Sequence, residues 1–378
     1  MIRLAVSGLF LFAACELALN APVARAQQDD TFRIYDIEHT TGLNLARGFD
    51  ILTGAPRAEC VVPKKPEENP GYGPDSVGFR SYRIENSQQL DRALGISASA
   101  SIKMGVGSAS GSVSYSNALS VSSYGLNYVV ESSIKQKGKS VLAETLKEPY
   151  RKLLASGKPE LLGRFRSICG DGYITEMPTG GEFKAIIQIA TNSRSETEAM
   201  AASIGGSYAA YSGAASFSNS VKKAASTNEV RIWSFRRGGG GPVPITPDDI
   251  ATEAANLPVS AAKTPAPLQI AVFSYTTVLD DPSIPLDTFS ERAAQIEKLA
   301  DLSSRARNQL GDLQFIMNHP SQFYSRPTDL PQLAQEAESL NEFRALIKHR
   351  ADECIKSDGA CYIGDLTPPQ PSVRPARR

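Results

Sequence analysis

Cys169-Gly170-Asp171-Gly172-Tyr173-Ile174-Thr175-Glu176-Met177-Pro178-Thr179-Gly180-Gly181 stands near the middle of the 378-residue chain. Six residues separate Tyr173 from the pair Gly180-Gly181. On either side lies a tract dominated by Ser, Ala and Gly: Ile96 to Tyr124 before it, Ala199 to Ser226 after it. The tracts are related. Ser110-Gly111-Ser112-Val113-Ser114-Tyr115-Ser116-Asn117-Ala118-Leu119 aligns with Ser212-Gly213-Ala214-Ala215-Ser216-Phe217-Ser218-Asn219-Ser220-Val221, and in the same register Ile102 falls on Ile204. A repeat whose copies are separated by other structure is not a solenoid; one local device is used twice.

The pattern inside each tract says what that device is. In the first, Ile96, Ala98, Ala100, Ile102, Met104 and Val106 alternate with small or polar residues. After Gly107 to Ser110 the phase flips, and Ala109, Gly111, Val113, Tyr115, Leu119 and Val121 become the less polar set. The second tract repeats this, with Met200, Ala202, Ile204, Tyr208 and Ala210 on one phase and Tyr211, Gly213, Ala215, Phe217 and Val221 on the other. Period-two alternation with one slip is the pattern of an amphipathic β-hairpin, one face to lipid and one to water. Each arm has roughly the 9–11 residues that a tilted membrane strand needs. Lys103 on the watery phase fits this, whereas Asn117 and Asn219 on the lipid phase do not. The plain alternative is a low-complexity linker or a soluble Ala/Ser-rich helix.

The central stretch carries a resemblance. The signature of the membrane attack complex/perforin (MACPF) family is an aromatic, Gly, Ser or Thr, His, an aromatic, six residues, then Gly-Gly. Gly170, Tyr173, Gly180, Gly181 and the spacing match it; Cys169, Asp171 and Gly172 depart from it. The surroundings follow in family order: Ala46-Arg47-Gly48-Phe49-Asp50 resembles the opening strand, the tracts flank the signature, and Glu229 to Pro242 resembles the closing strand with its Gly-rich exit. The chain resembles the family from about Thr31 to Val278. This implies an α+β fold: a bent four-stranded antiparallel sheet flanked by two helical clusters, the transmembrane hairpin regions. It places Gly180 and Gly181 at the bend, where glycine conformations are needed; an ordinary tight turn is the alternative. It also implies a pore-forming protein whose clusters unfold into hairpins on a target lipid membrane, within a homo-oligomeric ring, with an unidentified receptor as a further partner. Lone hairpins would carry unsatisfied strand edges into lipid, so insertion needs a closed assembly.

The rest of the chain is consistent with export. Arg3, the apolar run Leu4 to Ala14 and Ala24-Arg25-Ala26 read as a signal peptide over residues 1–26; lipidation at Cys15 is the alternative. Four cysteines then remain, with three possible pairings. Nearness in sequence favours Cys354 with Cys361, leaving Cys60 with Cys169; four free buried thiols are the alternative. Strands are expected at Thr31 to Ile37, Asn44 to Leu52, Leu126 to Ile134, Phe183 to Ala190, Glu229 to Phe235 and Leu268 to Val278. Ala143 to Ile168 has helical spacing, and a connector follows Gly238 to Gly241. From Pro285 the spacing turns helical, in Phe289 to Met317 and Leu330 to Ile355. The expected organisation is a MACPF-like domain over 27–284, a helical region over 285–361 and a disordered tail over 362–378.

Forty basic residues balance forty acidic ones, which gives no global field toward nucleic acid. His39, His319 and His349 lack metal-ligand spacing, no nucleophile motif occurs, and no cofactor is implied. An enzyme is therefore not expected. A non-lytic MACPF-like adhesin or binding module stays open, as does an enzyme on an unrelated fold.

Overall fold

The computed structural model describes residues 33–68, 75–96, 98–102, 116, 119–155, 157–205, 213–241, 243, 246–278, 290–324, 329–357 and 361–377. The strands used below are Arg33–Glu38 (β1), Gly48–Asp50 (β2), Val61–Pro63 (β3), Asp75–Ile84 (β4), Leu126–Ser140 (β5), Ala143–Leu146 (β6), Gly172–Ala190 (β7), Glu229–Arg237 (β8) and Gln269–Ser274 (β9). The helices are Ser87–Leu94 (α1), Ala98–Ile102 (α2), Pro159–Cys169 (α3), Arg194–Gly205 (α4), Gly213–Ala225 (α5), Pro247–Lys263 (α6), Ser290–Asn318 (α7) and Asp329–Lys356 (α8).

Four long strands lie in the order β4-β5-β7-β8, every neighbour antiparallel. Strand alternation sorts their residues between two faces. On one face Leu126, Tyr128, Val130, Phe183, Ala185, Ile187 and Ile189 pack with Ile204, Phe217 and Val221 of α4 and α5 and with Ile250, Leu257 and Ala261 of α6. On the other, Val129, Ile186 and Phe235 pack with Leu90 and Leu94 of α1 and with Ile96, Leu119 and Val121. The sheet thus has a helical layer against each face, the α+β arrangement that the resemblance implies.

The 19-residue β7 changes neighbours halfway. Its first part pairs with β9 and β2, and its second part, from Glu182, with β8. At the changeover the β5–β7 register shifts between Gln136 and Lys139, and Gly180 and Gly181 follow Pro178 and Thr179. A methyl group added at Gly180 would strike the Ile134 carbonyl, and one at Gly181 the Ala261 methyl of α6. Close approach of the β5 backbone to Gly180 and of α6 side chains to Gly181, rather than a tight turn, requires glycine here.

Cys60 is bonded to Cys169 and Cys354 to Cys361, with Cα–Cα distances of 5.8 and 5.1 Å. Helices α7 and α8 form a hairpin around Leu299, Leu313, Ile316, Leu340 and Ile347, and residues 31–378 form one compact unit.

Four readings are corrected. Asp75–Ile84, absent from the expected strands, is the sheet's β4; its register shift between Val77 and Arg80 breaks the alternation that marks a strand. Ala143–Leu146, within a stretch of helical spacing, is a strand paired with β3. The connector after Gly241 contains α6, whose start is fixed by a capping box between Thr246 and Asp249 with Pro247 behind the cap. The tail expected to be disordered follows a defined path: Arg374 pairs with Glu336, and Arg377 reaches the end of the sheet. Buried acceptors that need cationic donors override its polar, Pro-rich composition.

Candidate membrane-insertion elements

Each tract joins two neighbouring sheet strands. The first links β4 to β5, the second β7 to β8. Their described residues are helical where the structure is regular, and the helices draw on a second periodicity in the same sequence. In α5, Phe217, Val221 and Ala224 are buried at four- and three-residue spacing. Phe217 and Val221 therefore serve both the helical and the period-two pattern, whereas Ala215 and Ala202 are exposed. Phe217 lies 5.5 Å from the Phe79 ring and 5.8 Å from that of Tyr128. Met200 is partly buried beside Ile204 in the same cluster.

In the first tract, Ile96, Leu119 and Val121 are buried against the sheet with Ala100 beside them, and Ile102 is buried in the core of the α7–α8 hairpin. Ala98 opens α2. Met104, Val106, Val113, Tyr115, Tyr208 and Tyr211, together with the expected signal peptide, lie outside the described residues.

The first tract is held by α7 through polar contacts as well. Arg307 donates to the buried Asp91 carboxylate at 2.9 Å and to the Ser116 carbonyl and hydroxyl, both at 2.7 Å. Ser116 in turn donates to Asp91. Farther along, Asp312 accepts from the Ser123 amide at 2.7 Å and from the Ser122 hydroxyl at 3.0 Å. Gly311 lies so close to the Val121 carbonyl that no Cβ fits between them. The second tract is held by α6: Ser218 donates to the Pro247 carbonyl at 2.6 Å, and Lys222 pairs with Asp248.

The three departures from the signature form one compact structural unit. Cys169 carries the disulfide, and its carbonyl accepts from the Tyr275 hydroxyl at 2.8 Å. Burial pushes that phenol up. Asp171 accepts from Arg166 at 2.6 Å and from the Ile51 amide at 2.9 Å; burial pushes its carboxyl up, with Arg166 pulling the other way. Gly172 has no room for a Cβ beside the Phe273 carbonyl, and Gly170 (φ 83°) none beside that of Phe49. Tyr173 is buried, its ring 5.8 Å from that of Tyr275. These groups knit β7 to β2, α3 and β9, and none is placed as a nucleophile beside a base.

The histidines are likewise occupied locally. His39 contacts the Leu43 carbonyl at 3.1 Å, His319 stacks on Phe315, and His349 faces Glu353. Among the described residues no group of three or more His, Cys, Asp or Glu side chains is disposed to hold a metal ion, and no helix is long and apolar enough to cross a membrane.

Sequence reasoning did not find Asp91, Arg307, Asp312 or Arg377. Each charge meets its partner only through the tertiary fold, and no local pattern marks it. The α6 helix did have a signal, Thr246-Pro247-Asp248-Asp249.

No family model matches the chain, and no curated protein matches it. Among solved structures it is similar to stonustoxin (12% identity, TM-score 0.41, covering 86% of this chain and 49% of that one). It is also similar to GNIP1Aa from Chromobacterium piscinae (13% identity, TM-score 0.34, covering 72% and 56%). A third similar structure is a cell invasion protein with a MAC/Perforin domain from Bacteroides thetaiotaomicron (11% identity, TM-score 0.27, covering 67% and 58%). The chain spans about half the length of each of these solved chains.

Proposed function

We propose that the chain is an exported, non-enzymatic pore-forming protein. On a target membrane it assembles into a ring, and both tracts refold from helices into β-hairpins that prolong the central sheet into a barrel. The carrying observation is the register of the three ladders. Continued past Ile84↔Asn127, the β4–β5 register would pair Ile96 with Tyr115, Ala98 with Val113 and Ile102 with Ala109. Continued past Ala190↔Glu229, the β7–β8 register would pair Ala202 with Phe217, Ile204 with Ala215 and Tyr208 with Tyr211. Continued past Leu126↔Ile189, the central register would pair Tyr115 with Met200 and Val113 with Ala202. Directly paired residues share a face. All four less polar sets would therefore fall on one face, and a slip of one residue in any ladder would divide them. A linker has no reason to satisfy three registers at once.

The glycine pair and α6 support the reading, because they set a close-packed joint beneath the segments that would move. The membrane, the ring and an unidentified receptor are the partners it needs, and it needs no cofactor.

The test uses the mature chain with two engineered disulfides. Ser122→Cys with Asp312→Cys ties the first tract to α7, and Thr191→Cys with Thr197→Cys ties α4, which carries the start of the second tract, to the end of β7, at positions whose side-chain oxygens are 3.0 and 2.5 Å apart. Dye release from liposomes and cell-derived vesicles should be abolished by oxidation and restored by mild reductant, with vesicle binding unchanged. Undiminished release by the locked protein would sink the hairpin reading. Binding without release by either form would favour a non-lytic module.

A further inference from the structure

The central ladder ends against an arginine. Its last β5–β7 pair is Leu126↔Ile189. Two positions beyond that pair, past Gly125 and Ala190 and still in register, stand Tyr124 and Thr191. Arg377 holds the main-chain carbonyls of both: Nη1 donates to Tyr124 O at 2.6 Å, and Nη2 donates to Thr191 O. The same guanidinium donates to Gln322 Oε1 at 2.9 Å and to the Thr197 hydroxyl at 3.3 Å, and its carbon lies 5.3 Å from the Phe315 ring centroid. Tyr124 ends the first tract, and Thr191 leads into the second. One side chain therefore grips both junctions.

The segment that carries Arg377 is anchored independently. Arg374 makes two hydrogen bonds to Glu336, at 2.7 and 2.9 Å, and the Ser372 amide donates to the same carboxylate at 3.0 Å. The Tyr324 amide donates to the Ala376 carbonyl at 2.9 Å. A carbonyl at the end of a ladder requires a donor. In a prolonged ladder that donor is a strand amide; here it is a planar guanidinium, whose fork suits two acceptors at once. Prolonging the ladder and binding Arg377 compete for the same two oxygens.

We propose that residues 372–377 are a clasp: Arg377 caps the growing end of the central sheet and holds both tracts at their hinges, so that the tail must leave before either tract refolds. The consequence for pore formation rests on the hairpin reading; the grip on the junctions does not. Ordinary tail packing, in contrast, would steady the tail alone.

The clasp is tested on the full chain in solution by hydrogen exchange, comparing wild type with Arg377→Ala, Arg377→Lys and Glu336→Gln. Arg377→Ala should speed exchange by about tenfold or more at the amides of 120–126 and of 191–198, with 183–188 unchanged, as expected for lost charge-assisted hydrogen bonds that gate local opening. Arg377→Lys should restore part of the protection. Glu336→Gln, which touches neither junction, should expose both by freeing the tail. Acceleration confined to 362–378, uniform acceleration across the sheet, or junctions still protected in Glu336→Gln would each overturn the clasp. Dye release then tests the other reading separately. Faster release by Arg377→Ala supports both, while opened junctions with no release by any form would leave the clasp standing and remove the pore.

Discussion

Glu336 accepts from Arg374 and from the amide and hydroxyl of Ser372, and its side chain is only 7% exposed. Burial pushes its carboxyl up, but the hydrogen bonds from Arg374 and Ser372 outweigh burial and hold it below the ordinary glutamate value. The sign follows from linkage: a depressed carboxyl contributes stability that is fully present above its unfolded value, about 4.3, and lost as pH falls through the lower folded value. Exchange protection of 372–377 should therefore be constant from pH 7 to 5 and fall away below about pH 4. In Glu336→Gln the protection should be weak and independent of pH; the same acid-induced loss in that variant would assign the effect to other carboxylates. Asp91 and Arg307 form a more deeply buried pair, and removing one partner of such a pair typically costs about 3 kcal/mol. Asp91 lies on the short helix α1, and nothing local in the sequence marks its charge. The glycines and Tyr173 of the signature were legible because their spacing is local, but an aspartate that waits for an arginine 216 positions later is not.

At the scale of elements, the joint between β7 and α6 is set by the approach of Gly181 to Ala261. Gly181→Ala should cost about 1–3 kcal/mol by overpacking. Ala261→Gly should cost about 1 kcal/mol through helix propensity. The double variant should be more stable than the sum of these losses predicts, with a coupling of about 1 kcal/mol or more in a denaturant-unfolding cycle. Additive losses would show that the two elements do not meet there. Periodicity alone does not separate helix from hairpin in the tracts for one reason: Ser, Ala and Gly commit weakly to either form, so Phe217 and Val221 satisfy both periods. Strand β4 was hidden by its own irregularity, and α6 by the weight given to the prolines around its readable cap.

For the whole molecule, the two disulfides divide the work. Cys60–Cys169 closes a loop spanning 109 positions, which contains β4, the first tract and β5, half of the four-stranded sheet. It ties that loop at the end of the sheet away from the tracts, beside the Asp171–Arg166 pair. Cys60→Ser with Cys169→Ser should lower stability by about 2–5 kcal/mol, read by thermal or denaturant unfolding. Exchange at the tract junctions should stay close to wild type under native conditions. Loosened junctions would mean that the two ends of the sheet are coupled more tightly than their separate cores suggest. Cys354–Cys361 acts at another place, closing the end of α8 from which the tail departs.

The groups of α7 and the tail that hold the first tract, Arg307, Asp312 and Arg377, all follow residue 290, while both tracts are complete by Ser226. A ribosome adding about 5–20 residues per second delivers Arg377 on the order of ten seconds after the second tract. During that interval both tracts exist without these contacts. On the clasp proposal, the newborn chain therefore carries both tracts for seconds before the side chain that closes over their junctions is made.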